Sequence, residues 1–98
     1  MVGAFIGKRV DLIKVSQLGF SILFLGEDKK LAKLYYVKEA EKSYNVSVVL
    51  DRSNKITGFE IYEVVQTGSQ GASIERVDDA PPSVAHLIEK DVSRIIEA

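Results

Sequence analysis

Residues 31 to 66 read LAKLYYVKEA, EKSYNVSVVL, DRSNKITGFE and IYEVVQ in successive blocks. Apolar and β-branched side chains recur there at a spacing of two, the period of a pleated strand. Leu31 to Val37 alternates Ala32, Leu34 and Tyr36 against Leu31, Lys33, Tyr35 and Val37. Val46, Val48 and Leu50 begin another strand. Ile56 to Gln66 sets Phe59, Ile61, Glu63 and Val65 against Glu60, Tyr62 and Val64. Between the last two lies Asp51-Arg52-Ser53-Asn54-Lys55, a polar turn in which Asn54 suits a position of positive φ. The tract predicts a β-meander, with Lys38 to Tyr44 left as a longer loop or one helical turn.

Working outward, Val10, Leu12, Ile13 and Val15 form an imperfect alternation, followed by a turn and by Phe20, Ile22 and Phe24 with Ser21, Leu23 and Leu25 between them. Two further strands are expected, the second central or covered on each side because both its faces are apolar. Thr67 to Ser73 has no large side chain and predicts a mobile connection dividing sheet from helix. Ile74 to Val77 is a candidate for one more short strand. Pro82 suits a first helical turn, and Val84, Leu87, Ile88, Val92, Ile95 and Ile96 follow at the helical period to about Glu97. The expected fold is α+β: a mainly antiparallel meander of about five strands with a C-terminal amphipathic helix packed on one face. One domain spans residues 1–98, with sheet at 1–66, connection at 67–73 and helix at 82–97. Asp91 falls within or beside the helical stripe, where a carboxylate needs Arg94, water, or a base from the sheet or a second subunit.

Composition excludes several functions. The chain has 98 residues, 46% hydrophobic and 28% charged, ordinary for a soluble globular domain with one core. It has no cysteine, hence no disulfide framework, thiolate zinc site or cysteine nucleophile. The apolar run Leu18 to Leu25 is too short to span a membrane, and charged residues interrupt the N-terminus, so no signal peptide or anchor and a cytoplasmic location are expected. Abundant Ile, Val, Lys and Glu lean toward a heat-adapted source. Net charge is −1, yet residues 1–55 hold ten Lys/Arg against six Asp/Glu and residues 56–98 hold three against eight. That split steers an anionic partner, pairs the two halves, or promotes association between copies.

The tract Asp28-Lys29-Lys30-Leu31-Ala32-Lys33-Leu34-Tyr35-Tyr36, with Val48-Val49-Leu50-Asp51 and Asn54-Lys55-Ile56-Thr57-Gly58-Phe59-Glu60-Ile61, resembles a widespread prokaryotic family of small domains of unknown function. That family shows an Asp, an acidic-small-Leu-Tyr-Ile strand, a valine-rich strand and a Gly-x-Ile-x-Gly-Ile-Glu-Ile hairpin return. Here Ala32 stands where the family usually has a second Asp, and Asn54 replaces the turn glycine. The resemblance, over residues 28 to 61, implies a small antiparallel sheet with a helix, often self-associating, and brings no catalytic residues.

Reactive constellations are sparse. Gly3 to Arg9 has glycine spacing one short of a phosphate-binding loop, and Arg9 replaces the magnesium-binding hydroxyl. His86, the only histidine, points away from the apolar stripe and has no histidine or cysteine to share a metal with. Asp51, Glu60 and Glu63 lie near the hairpin, but Glu60 and Glu63 fall on opposite strand faces. We therefore expect no enzyme, cofactor or metal, but a protein-interaction module or accessory subunit, a homo-oligomer or partner-bound, using Val84, Leu87, Ile88, Asp91, Val92 and Ile95. The alternative is single-stranded nucleic-acid binding by Lys29, Lys30, Lys33, Tyr35, Tyr36 and Lys38, where cations track phosphates while bases stack on rings.

Overall fold

The computed structural model describes residues 2–39, 42–68 and 71–97, with the side chains of residues 2 and 37–39 left out. A short 3-10 turn, Val2–Phe5, precedes helix α1 (Leu12–Gln17). Strands β1 (Ser21–Phe24), β2 (Lys30–Glu39), β3 (Lys42–Leu50), β4 (Ile56–Gln66) and β5 (Ala72–Val77) follow, and helix α2 (Pro82–Ile95) closes the chain. The strands form one antiparallel sheet in the order β1-β2-β3-β4-β5, the meander that the alternation predicts.

Register follows from the turn and from burial. Asp51 Oδ1 accepts from the amides of Ser53 and Lys55 at 2.8 and 2.9 Å, and Asn54 takes φ 66°, so the β3–β4 reversal is built from side chains suited to it. Opposite pairs then bring Ala32, Val48 and Phe59 together, and likewise Leu34, Val46 and Ile61. All six face α2, whose Val84, Ile88, Val92 and Ile95 are buried against them. A one-residue slip would turn this set to the opposite face, which is why the register is firmly specified.

Four expectations are corrected. Residues 12–17 are helical, not a strand: Asp11 Oδ1 accepts from the amides of Ile13 and Lys14 at 2.9 and 3.4 Å, an N-cap that satisfies donors left free in a first turn. Val15 is then buried between the half-buried Leu12 and Leu18, a spacing of three. The described part of 38–44 is neither loop nor helical turn, since β2 and β3 run on until Glu39 opposes Lys42, while residues 40 and 41 lie outside the described residues. The segment after Gln66 joins β4 to β5: Thr67 donates from its amide and its hydroxyl to Gly71 O, each at 3.0 Å, and Ala72 and Ser73 already belong to β5. Finally, β1 is an edge strand, not a central one.

The chain end is tied to the chain start. Helix α2 stops at Ile95, and the extended Ile96 bridges to Val10 while Glu97 N donates to Arg9 O at 2.9 Å. Arg9 and Glu97, one from each charge half, also approach to 3.7 Å at exposed positions, a contact of little energetic weight. The 3-10 turn, α1 and α2 thus share one side of the sheet with the clustered core, and on the other side Leu31 is buried within its row.

Candidate interaction surface

Side chains alternate across a strand, so the residues between the core positions define the second face, and register arranges them in rows. Leu23, Leu31, Val49 and Gly58 form the first row, and Ser21, Lys33, Ser47 and Glu60 the second. Tyr35, Asn45, Tyr62 and Arg76 form the third, beyond which Ser43, Val64 and Ile74 continue. Tyr35 is 60% and Ile74 67% exposed, and Leu23 is exposed on the same face at the β1 edge. Among the described residues no element packs over this face. Its polar members are tied together: Lys33 Nζ donates to Ser47 Oγ at 2.8 Å, and Tyr62 OH meets Glu60 Oε2 at 3.5 Å. The result is an open surface with apolar and aromatic side chains set among polar ones.

The basic and aromatic set expected from the sequence is divided by the pleat. Tyr35 and Lys33 lie on the open face, whereas Tyr36 faces α2 and donates from its hydroxyl to Asp91 Oδ2 at 2.6 Å. Burial first, and then the bonded Asp91 carboxylate with its charge, hold the Tyr36 phenol protonated well above the ordinary tyrosine range. Lys30 reaches the β3–β4 turn, donating to Asn54 Oδ1 at 2.6 Å and Arg52 O at 3.4 Å. Lys29 is exposed at the turn before β2, and the Lys38 side chain lies outside the description. These residues do not form one patch.

The helical stripe is corrected in the same way. Val84, Ile88, Val92 and Ile95 are buried in the chain's own core and give no surface to a partner; Leu87, 43% exposed, is at the margin. Asp91 combines its bond from Tyr36 with an ion pair to Arg94 at 3.5 Å, so the sheet supplies a hydroxyl, not a base. Of the carboxylates near the hairpin, Asp51 shapes the turn, Glu60 is on the open face, and Glu63 is on the core side, where its Oε2 accepts from the buried Tyr44 hydroxyl at 3.1 Å. His86 is exposed. Tyr62, Ile74 and Arg76 escape a reading of single strands, because the β2–β3 and β3–β4 pairings put Tyr62 in the row of Tyr35 and the β4–β5 pairing adds Arg76 to that row and Ile74 to the next. The alternation Glu60, Tyr62, Val64 is the signal that could have found them.

No helix among the described residues is long and apolar enough to cross a membrane. No protein-family model matches the chain, and neither a curated protein nor a solved structure matches it.

Proposed function

We propose that this chain is a non-catalytic protein-interaction module, a small accessory subunit that works in a self-associated form. The observation that carries the reading is the one-sided placement of its covering elements. Among the described residues the clustered core and the helices lie on one side of the sheet, while Leu23, Tyr35 and Ile74 stand exposed on the other and Phe24 is exposed on the helix side of the β1 edge. Exposed apolar side chains on a small domain are removed from water most simply by another protein surface. Sedimentation at micromolar concentration tests this: a dimer or higher species is expected, and a monomer throughout would overturn it.

A second reading rests on the row Tyr35-Asn45-Tyr62-Arg76 with Lys33 beside it. Two rings and two cations on one sheet face are the ingredients of a stacking platform for single-stranded nucleic acid. Fluorescence anisotropy with a labelled single-stranded oligonucleotide is expected, on this reading, to show affinity that falls steeply with salt and is lost in Tyr35→Ser. Binding indifferent to salt, or no binding at low salt, would exclude it.

A further inference from the structure

We infer that two copies of this chain pair through the open edge of β1, antiparallel across a twofold axis at Leu23, so that the five-stranded sheet continues into its copy. This pairing rests on the self-association proposed above and names the surface that performs it.

The two sheet edges are unequal. Strand β5 carries Glu75 and Arg76 and runs into Asp78 and Asp79, the kind of charge that discourages another strand from adding. Strand β1 has no such guard: from Leu18 to Gly26 the sequence has no charge and no proline. Ser21 to Phe24 is nevertheless an edge, with apolar side chains toward both faces, a composition otherwise suited to the middle of a sheet.

Backbone polarity fits the same partner. Leu25 N donates to Lys29 O at 2.9 Å, so Leu25, and by alternation Leu23 and Ser21, turn their main-chain groups toward β2. Ile22 and Phe24 consequently turn theirs outward. In an antiparallel pair centred on Leu23, Ile22 of one copy opposes Phe24 of the other, and each such pair exchanges both main-chain hydrogen bonds. Leu23 opposes its own copy on the open face. On the helix side, Phe24 (60% exposed) and Ile13 (69% exposed) line a shallow groove with Leu12 and Ile22 beside this edge, so the added strand also meets apolar side chains there. Charges do not oppose the arrangement, because the pairing segment Ser21 to Phe24 carries none. Pairing makes β1 a central strand, and the two open faces become one continuous surface.

The absence of native cysteine makes the register directly testable. Facing Cα atoms of a non-hydrogen-bonded antiparallel pair are about 4.5 Å apart, within disulfide reach, so Leu23→Cys is expected to form a covalent dimer on mild oxidation. Ser21→Cys is its control: it shares the open face, but its copy lies about 13 Å away along the strand direction, and it stays uncrosslinked. Leu23→Lys, at an exposed site and checked for folding by circular dichroism, is expected to sediment as a monomer. Equal crosslinking of the two cysteine variants overturns the pairing. So does a native-size multimer in both Leu23→Lys and Phe24→Lys, or an assembly lost only in Tyr35→Ser with Ile74→Ser; either leaves self-association standing on another surface. A monomeric native chain overturns the pairing and the self-association together.

Discussion

The Tyr36 hydroxyl and the Asp91 carboxylate, 2.6 Å apart, join sheet to helix by one charge-assisted bond at the margin of the core. Removing the donor leaves Asp91 its ion pair with Arg94, so Tyr36→Phe is expected to cost about 1 to 3 kcal/mol in urea unfolding. The same variant separates itself by pH. Tyr36 keeps its proton in the folded chain beyond the ordinary value of 10.0, whereas the unfolded chain releases it there. Stability from this group is complete below that ordinary value and declines as pH rises above it, by at most about 1.4 kcal/mol per pH unit. Unfolding titrations at about pH 8 and pH 11 should therefore lose part of their difference in Tyr36→Phe, and an unchanged difference would deny the phenol this role. Asn54 is the other residue with a sharp expectation. With φ 66° and its amide oxygen bound by Lys30, Asn54→Ala should destabilise by about 1 to 2 kcal/mol. Asn54→Gly, which relieves the backbone and loses only the Lys30 bond, should cost less.

Elements differ in how far local sequence determines them. Strands β2, β3 and β4 were legible over Leu31 to Val37, Val46 to Leu50 and Ile56 to Gln66, where a period of two persists and one face is buried, but not over the charged ends of β2 and β3 around Glu39 and Lys42. Helix α2 was legible for the matching reason at its own period, and only its last residues diverge, pulled into an extended pairing with Val10. Helix α1 was not legible: in a six-residue helix Leu12, Ile13 and Val15 satisfy either period, and the decisive feature is the Asp11 side chain turning back on Ile13 and Lys14. Nor was β5 seen at full length, since its Ala72 and Ser73 bury little and are held by pairing with Gln66 and Val65. For the site the limit is more basic. Alternation says which residues share a face, but not which strands are neighbours, so Tyr35 was visible and its row was not. The α2 stripe carries the test of this scale: Ile88→Ala, fully buried, is expected to cost about 2 to 5 kcal/mol, while Leu87→Ala, half exposed, should cost under about 1 kcal/mol. Comparable losses in denaturant unfolding would mean that α2 presents a different face to the sheet.

At the scale of the whole molecule, one-sided packing couples stability to concentration. A sheet covered on one face and unguarded at one edge leaves part of its apolar surface in water as a monomer, and a second copy at β1 removes some of it. Any species that binds the folded chain and not the unfolded one raises the unfolding midpoint by mass action, and here the ligand is the chain itself. Each tenfold rise in protein concentration adds about 1.4 kcal/mol per mole of dimer. Spread over the unfolding entropy of two domains of this size, that raises the midpoint by about 3 to 5 °C per decade. Calorimetry of the native chain across two decades of concentration should show that drift, and Leu23→Lys should abolish it while Lys29→Ala, at an exposed turn residue outside the pairing strand, should not. A midpoint independent of concentration in the native chain would mean that its single-sided core is sufficient alone, and the unguarded edge would then need another explanation than a copy of itself.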